Sequence, residues 1–443
     1  MTTAKQDKLG RAALALAKII VEKTGGQLSF RLWTGDVVSP HSTDGNPPFE
    51  IGIKSAAAMR RMMLSPSFET AALLYALGEI EYGDVHPLEL INRVDHTRLI
   101  RAFGWADRMR LIKAALPILT SGGKLDDTLA FEGQQGQQPG KDRDDKSLIH
   151  FHYDLSNHFY SLFLDPEMVY SCAYFERDGM DIAQAQAAKL DLICRKLRLE
   201  PGLKLFDTGC GWGALICHAA KHYGVKAHGV TLAKEQYDYT TAKIARMGLQ
   251  DLVTVEIRDY RSVTEPESFD RIAQIEMFEH VGLDNHDAHF KHMNRLLKPR
   301  GLYLHQASTR RPTVDISQFR KKTVYQRFAT RYIFPGGELD YIGLTVTNLE
   351  RLGFEVHDVE NMREHFQKTC EAWANRLWEN RTEAAREVGM ARTRMWLSYL
   401  SAVVIGFKRS NLNVFQTLAS KRRVGASGLP LNRRWITDDG KTG

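Results

Sequence analysis

The spacing of apolar residues predicts two regions of different architecture. In the first, strand-like alternation in QLSFRLW and FEIGIK is followed by helix-like periodicity from SAAAMRRMML to ETAALLYALGEI. This order predicts a small α+β domain over residues 1–120, which opens on an amphipathic helix. The next stretch, residues 121–147, is rich in Gly, Gln, Asp and Lys, and this composition predicts a flexible linker.

Beyond the linker, short runs of strand-forming residues alternate with helical stretches. The runs are LKLFDT, VKAHGVT, LVTVEI, RIAQI, GLYLHQ, FEVHDVE and SAVVIGF. Such alternation predicts an α/β domain over residues 148–420, with a mostly parallel sheet and helices on both faces. Residues 308–342 interrupt the rhythm and are predicted to form a lid-like insertion, and residues 421–443 form a basic tail. No window holds about 18 uninterrupted apolar residues, so we expect no membrane-spanning helix.

Composition and charge limit the cellular compartment and the binding partners that we expect for this protein. Of the 443 residues, 43% are apolar and 26% are charged, as in soluble globular proteins. The five cysteines are neither paired as CxxC nor grouped with histidines at zinc-like spacing, so we expect no disulfides, no metal site and a reducing, cytoplasmic compartment. A formal net charge of +7 favours an anionic partner, either nucleic acid or an acidic lipid surface. Basic residues concentrate at 308–331 and 420–435 among apolar side chains, a mixture that suits lipid headgroups at least as well as a phosphate backbone.

A glycine-rich turn marks the predicted cofactor site. The strand LKLFDT runs into GCGWGA, so Gly209, Gly211 and Gly213 lie at a strand-to-helix turn, where parallel sheets bind cofactors. A dinucleotide site would place an acidic residue about 20 positions further on, but Thr231 stands there, in HGVTLAKEQ. With Asp207 just before the glycines, the compact loop favours S-adenosylmethionine (SAM).

Six motifs in order carry a resemblance to a known family. They are HYDLSNHFYSLFLDPEMVYSCAYFE, FDTGCGWGA, VTLAKEQ, MFEHVG, RYIFPGG and HFQKTCEAW. On these motifs, residues 147–420 resemble the cyclopropane-fatty-acyl-phospholipid synthases and are similar to the mycolic acid cyclopropane synthases. The resemblance implies a Rossmann-like SAM methyltransferase with a seven-stranded, mostly parallel sheet. It also implies unsaturated phospholipid acyl chains as partners at the inner membrane face, with no nucleic acid expected as a partner, and leaves a homodimer open.

The resemblance also assigns the site residues. By motif, Tyr170, Ser171, Gly209, Gly211, Thr231 and Gln236 match SAM-contacting positions, and Asp207 and Gly213 complete the same loop. Cys172, Glu279 and His305 match positions that hold a bicarbonate ion in the family. A tyrosine of that ion site aligns here with Phe366, which has no hydroxyl to donate.

The implied chemistry explains why these residue types are present. Methyl transfer to an alkene leaves a carbocation, which aromatic faces stabilise without capturing it while water is excluded. Candidates for this role are Tyr153, Tyr170, Tyr174, Phe175 and Phe278. A base must then accept a proton; Glu279 and His305 would hold it, and we expect burial to raise the pKa of Glu279. Loss of a methyl proton with ring closure gives a cyclopropane, the expected product, whereas a displaced base would leave a methylated unsaturated chain.

Other interpretations stay open at this point. Cys172 is interpreted as part of the wall of the site, but a plain core cysteine is possible, and so is a nucleophile activated by His150, His152 or His158. A lipid carrier without catalysis is a second class of function. A nucleic-acid methyltransferase is a third, although EMFEHVG stands where base-nitrogen methyltransferases carry a polar-Pro-Pro-aromatic loop.

Overall fold

The computed structural model describes residues 3–23, 27–40, 47–93, 103–121, 123–126, 128–129 and 155–437. Most of the predicted linker, together with His150, His152 and Tyr153, lies outside these residues. The chain forms two compact units. The first consists of Met1–Glu132, Lys322–Tyr332 and Leu377–Ile405, and the second of Gly133–Lys321, Ile333–Arg376 and Gly406–Gly443. Residues 322–332 and 377–405, which the sequence assigns to the catalytic domain, thus pack with the first unit.

Strands and helices follow one another along both units. The strands are β1 (Leu28–Leu32), β2 (Val37–Val38), β3 (Phe49–Ile53), β4 (Ile80–Glu81), β5 (Lys204–Asp207), β6 (Lys226–Thr231), β7 (Val253–Ile257), β8 (Phe269–Ile275), β9 (Leu297–Arg310), β10 (Phe354–Asn361) and β11 (Leu412–Lys421). The helices are α1 (Thr3–Lys23), α2 (Ala56–Leu64), α3 (Phe68–Ala76), α4 (Pro87–Arg93), α5 (Trp105–Ser121), α6 (Asn157–Ser161), α7 (Ile182–Lys196), α8 (Ala214–Tyr223), α9 (Lys234–Met247), α10 (His286–Leu296), α11 (Val324–Tyr332), α12 (Ile342–Arg351), α13 (Arg363–Glu379), α14 (Arg381–Val388), α15 (Met390–Lys408) and α16 (Arg434–Thr437).

The first unit is built on a four-stranded sheet with the strand order β2-β1-β3-β4. Strand β1 pairs in parallel with β3, and the other two pairings are antiparallel. Apolar side chains of α1, including Leu9 and Leu16, share a core with Phe30 of β1 and Ile118 of α5. The periodic apolar residues of α1 therefore face this sheet.

The second unit holds a seven-stranded sheet with the order β10-β11-β9-β8-β5-β6-β7. Strands β9, β8, β5, β6 and β7 pair in parallel, and β11 lies antiparallel between β10 and β9. This confirms the predicted Rossmann-like α/β fold with a mostly parallel sheet. The carboxyl ends of β5, β6, β7 and β8 consequently meet at one edge, where ligands bind in such sheets.

One predicted strand is wrong. SAVVIGF, residues 401–407, lies within helix α15, and the last strand of the sheet is β11. A short apolar run does not distinguish a strand from a buried helix by its periodicity, because both faces are apolar in either case. Leu400, Val404 and Phe407 are indeed all buried. Among the described residues, no helix is long and apolar enough to span a membrane.

The residues at the start of α7 determine where this helix begins and which of its side chains are buried. Asp181 caps α7: its carboxylate accepts the N–H of Gln184 at 2.8 Å, and the Gln184 side chain accepts the N–H of Asp181 at 3.2 Å. This capping box sets where the helix begins. The register that follows directs Gln186 and Lys189 inward, and both side chains are buried.

Candidate active site

A cleft lies at the carboxyl ends of the parallel strands in the second unit. Its empty volume is about 1140 Å³ when the open solvent at its mouth is included. Residues from the ends of β5, β6, β7 and β8 line it, together with the segment before α7 and part of that helix. Of the predicted site residues, the lining includes Tyr170, Ser171, Asp207, Gly209, Gly211, Thr231 and Gln236.

The glycine loop requires glycine at two of its positions. Gly213 begins α8 with a φ of 74°, and a Cβ there would lie 2.5 Å from Cγ2 of Thr240. A Cβ on Gly209 would lie 3.0 Å from Cγ of Met277. Gly211, by contrast, has a φ of 51° but faces open space. The loop therefore needs glycine for its conformation at Gly213 and for close packing at Gly209.

Asp207 places a buried carboxylate at the floor of this loop. Burial raises the pKa of Asp207 to about 7, although the N–H of Gly209 partly offsets the effect. Among the described residues its Oδ1 has no hydrogen-bond partner. A buried polar atom without a partner indicates a missing one. The amino group and sulfonium of SAM are cationic, so the loop and Asp207 fit this cofactor.

Polar groups at the ends of β6 and β7 continue the cofactor site. The Thr231 hydroxyl donates to Oε1 of Gln236 at 2.7 Å, and both side chains are buried at the cleft. Asp259, just after β7, also lines the cleft, and its carboxylate accepts the N–H of Arg261 at 2.9 Å. The motifs did not single out Asp259; its position after a parallel strand was the available signal.

A buried lysine holds the segment before α7. Nζ of Lys189 donates to the Ser171 hydroxyl at 2.7 Å, and Nε2 of Gln186 donates to the Ser171 carbonyl at 2.8 Å. Burial lowers the pKa of Lys189, and the nearby Glu276 carboxylate opposes that shift. Lys189 was missed by the sequence analysis because it lies in an otherwise ordinary amphipathic helix.

Cys172 contributes its backbone to the site. Its thiol donates to the Ala173 carbonyl at 3.2 Å, and burial raises the pKa of this thiol well above its usual value. A nucleophilic cysteine requires a lowered pKa, so the environment argues against that role. The main-chain N–H of Cys172 instead donates to Oε1 of Glu276 at 2.9 Å.

Glu276 is a third residue of the cleft that the sequence analysis missed. It follows β8 with a φ of 51°, a left-handed conformation that is rare for a residue with a side chain. Its Oε1 also accepts Nε2 of Gln306 at 2.5 Å, and its N–H donates to the Gln306 carbonyl at 2.7 Å. Nε2 of Gln416 in turn donates to Oε1 of Gln306 at 2.8 Å. Burial, and then the neighbouring Glu279, raise the pKa of Glu276.

Glu279 lies one turn further on, in the MFEHVG motif. Its Oε1 accepts the N–H of Ser308 at 2.7 Å. Burial raises the pKa of Glu279, as expected from the sequence, and the Ser308 hydrogen bond opposes the shift. Among the described residues its Oε2 has no partner.

His305 is fixed in one tautomer by a buried polar cluster. Its Nδ1 lies 2.6 Å from Oε1 of Gln274, and the Tyr303 hydroxyl donates to the same oxygen at 2.9 Å. Because an amide oxygen only accepts, Nδ1 carries the proton and Nε2 presents a lone pair. That Nε2 is buried and has no partner within the described part of the chain. Burial, with a smaller effect of His286, lowers the pKa of His305 to about 3.

Phe366 lies in an aromatic cluster. Its ring centroid is 4.8 Å from that of Phe407 and 5.9 Å from that of Trp373, which itself lies 5.1 Å from the Tyr170 ring. Of the other predicted aromatic residues, Tyr174 stacks on His365 at 4.5 Å, and Phe278 packs edge-on against His305 at 4.6 Å. Of the four aromatic candidates within the described residues, Tyr170 lines the cleft.

These contacts do not fit a bicarbonate ion held as the resemblance implies. The Cys172 N–H already donates a hydrogen bond to Glu276, and Phe366 has no hydroxyl to donate. An anion would also face the carboxyl groups of Glu276 and Glu279, whose mutual repulsion already raises the pKa of Glu276. The bicarbonate stays a prediction that this geometry does not support.

Comparison with known proteins identifies the family of the chain. The model of the mycolic acid cyclopropane synthetase family matches residues 140–417. The chain belongs to the mycolic acid cyclopropane synthetase family. It is therefore a SAM-dependent methyltransferase of a family that acts on lipid double bonds.

Members of the family resemble the chain over different lengths. A probable fatty acid methyltransferase of Mycobacterium tuberculosis is 33% identical over 438 residues, which cover 96% of this chain and 99% of that protein. The cyclopropane-fatty-acyl-phospholipid synthase of Escherichia coli is 35% identical over 61% of this chain and 66% of that protein. The crystal structure of the mycolic acid cyclopropane synthase CmaA1 complexed with SAH and CTAB matches with a TM-score of 0.59 and 34% identity, over 62% of this chain and 98% of that one.

Proposed function

We propose that this family member methylates a carbon of a cis double bond in an unsaturated phospholipid acyl chain, and that the product keeps a double bond. The observation that carries the proposal is the pair of hydrogen bonds from Cys172 N–H and Gln306 Nε2 to Glu276 Oε1, at 2.9 and 2.5 Å. The proposal is supported by a carboxyl group of the chain itself that accepts the N–H of Cys172, one of the residues that the resemblance assigns to a bicarbonate ion. Similarity to a probable fatty acid methyltransferase over nearly the whole chain supports the same reading.

The cofactor site needs few residues to hold SAM. Asp207 would pair its unpartnered Oδ1 with a cationic group, and Thr231 with Gln236 would meet the ribose hydroxyls. Bound SAM supplies an electrophilic methyl group to the acyl double bond. Tyr170 presents an aromatic face at the cleft, where the positive charge left on the acyl chain is attracted by about 0.5 to 2 kcal/mol.

Glu276 would complete the reaction as proton acceptor. Its ionised Oε takes a proton from a carbon next to the cation, and the electrons of that C–H bond form the new double bond. The acyl chain thereby gains one CH₂ overall, and the proton stays on Glu276 until it is released. Its raised pKa makes Glu276 a stronger base than an exposed carboxylate, which suits abstraction of a carbon-bound proton.

Cyclopropane synthesis is the second candidate, and a specific observation favours it. Cys172, Glu279 and His305 are all retained, and Oε2 of Glu279 and Nε2 of His305 are buried without partners in the described structure. A proton acceptor between them would remove a methyl proton as the ring closes. Both candidates share the methyl transfer and differ in the fate of the cation.

The deciding experiment is incubation of the purified protein with unsaturated phospholipid vesicles and methyl-trideuterated SAM, with and without bicarbonate. We expect a product with olefinic signals in NMR, no upfield cyclopropane signals, and no dependence on added bicarbonate. A mass increase that retains all three deuterons would locate the lost proton on the acyl chain, and two deuterons would locate it on the added methyl. A saturated, doubly deuterated ring would establish the second candidate. Absence of label from lipid would refute both and leave a carrier.

A further inference from the structure

Helix α5 of the first unit presents a row of large apolar side chains to solvent. Trp105, Met109, Ile112 and Leu116 are 79%, 47%, 59% and 58% exposed. Their spacing of four, three and four residues places them on one face of the helix. We call these four residues the α5 stripe. Contiguous exposed apolar surface of this kind marks an interaction site, whereas single exposed apolar residues do not.

The α5 stripe is not the face that builds the core of the unit. Ala115 and Ile118 form that face, and both are buried in the cluster that includes α1 and the four-stranded sheet. The helix is therefore apolar on two sides, one satisfied by the core and one exposed. The exposed side fits an occupant that accepts apolar groups along about three turns of helix.

The charges beside the α5 stripe are basic. Arg108, Arg110 and Lys113 are exposed on the same helix. Its acidic residue, Asp107, has a side chain only 14% exposed, and its Oδ2 lies 2.8 Å from Nζ of Lys23. Arg110 also lies 3.7 Å from the carboxylates of Glu22 and Asp107, so the positive charge that remains on α5 is that of Arg108 and Lys113. A helix with exposed Trp, Ile and Leu flanked by Arg and Lys is typical of binding at an anionic lipid interface.

The two basic stretches noted in the sequence are partly paired within the protein. Arg320 pairs with Asp284 at 2.7 Å and Arg331 with Glu69 at 3.2 Å. Arg422 pairs with Glu350 and Arg433 with Asp358. These four charges are thus neutralised within the protein.

We propose that the α5 stripe docks the protein on the surface of a bilayer that contains anionic phospholipid. The four apolar side chains would lie at the boundary between the headgroups and the acyl chains. The choice of partner rests on charge complementarity and on the proposed function, which requires access to membrane-borne acyl chains. The docking surface belongs to the first unit, whereas the cofactor cleft belongs to the second unit.

Vesicle flotation without SAM tests the docking alone. The protein would be mixed with phosphatidylcholine vesicles that contain or lack phosphatidylglycerol, and compared with the double variant Met109→Glu/Ile112→Glu. We expect the double variant to bind the anionic vesicles at least about ten-fold more weakly, since both the apolar contact and the charge attraction are lost. Val37→Glu, which changes another exposed apolar residue of the same unit, is the matched control and should bind like the wild type. Equal binding by the wild type and the double variant would overturn the proposal.

Further measurements distinguish membrane docking from other occupants of the α5 stripe, and test docking separately from the proposed function. Trp105 fluorescence, taken as the difference from Trp105→Phe, should shift to shorter wavelength on adding anionic vesicles. If a second copy covers the α5 stripe, light scattering will show a dimer that the double variant abolishes, and if another part of this chain covers it, the wild type will not float; either result refutes docking. Methyl transfer to a detergent-dispersed monomeric lipid should survive in the double variant. A wild type that floats with anionic vesicles but methylates no lipid would refute the proposed function and leave the docking proposal intact.

Discussion

The main-chain N–H of Cys172 donates to the side chain of Glu276 at 2.9 Å, across 104 positions of sequence. Glu276 reaches that position through a left-handed backbone at the end of β8. Such a conformation costs of order 1–3 kcal/mol in a residue with a side chain and persists where the surroundings impose it. Here Gln306 imposes it, with one hydrogen bond to the backbone of Glu276 and one to its carboxyl group.

Removal of the Glu276 carboxylate should abolish most of the activity. Glu276→Gln keeps the shape and the hydrogen bond from Cys172 but cannot accept a proton. We expect the rate of lipid methylation to fall by roughly 10²- to 10⁴-fold, the usual contribution of a general base. SAM binding, followed by calorimetry, should be nearly unchanged. Glu355→Gln, on the edge strand β10, is the matched control; comparable activity in the two variants would contradict the role of Glu276.

The rate should rise with pH, because the base works only when ionised. The pKa of Glu276 is raised by burial and by Glu279, so the midpoint of the profile should lie well above the usual range of a glutamate. The Gln306 hydrogen bond favours the ionised form and so lowers that pKa. Gln306→Met should therefore move the midpoint to higher pH, as read from single-turnover rates across pH. A midpoint that moves down, or stays, would show that Gln306 does not tune this group.

An external anion should partly replace the missing carboxylate. Glu276→Ala frees the N–H of Cys172 and opens a small cavity beside it. We expect added bicarbonate to restore part of the methylation rate in this variant, and more in Glu276→Ala/Phe366→Tyr, where a hydroxyl is supplied. The wild type should not respond to bicarbonate. If chloride at equal ionic strength restores the rate as well, a salt effect explains the result and the prediction fails.

Binding of SAM should weaken as Asp207 is protonated. Its pKa is about 7 without a ligand, since burial disfavours the charge. A cationic ligand favours the ionised form, so affinity should be full above pH 7 and fall steadily below it. Calorimetric titrations at pH 6 and 8 measure the difference. Asp207→Asn should bind weakly at both values, and a wild type whose affinity is independent of pH would rule out this pairing.

The cofactor half of the site could be predicted from sequence, whereas the base could not. The loop from Asp207 to Gly213 is a local feature, in which a strand, a tight turn and a helix follow each other along the chain. Glu276 directly follows the apolar run RIAQI and has no local signal of its own. Its role depends on Gln306, which the parallel pairing of β8 with β9 brings near, and on Cys172, which lies 104 positions earlier in the segment before α7.

The same limit explains the misassigned strand. The run SAVVIGF has the composition of a strand, but its neighbours in Met390–Lys408 are buried on several sides and continue as a helix. Tertiary packing overrides β propensity in such a segment. Strand β11 was missed because its polar residues, among them Gln416 and Thr417, are buried within the sheet and do not alternate with apolar ones.

The first unit combines three separate segments of the chain, which affects how it folds during synthesis. The ring of Phe68 in α3 lies 5.0 Å from that of Phe328, and the Tyr75 carbonyl accepts a hydrogen bond of 3.0 Å from Arg394. Those partners leave the ribosome more than half a chain later than the residues they pack against. Domains fold as units, so the amino-terminal part must wait for residue 405 before its packing is complete. A truncation that keeps only the first 132 residues should therefore aggregate, and one that removes them should leave 322–332 and 377–405 with exposed apolar faces.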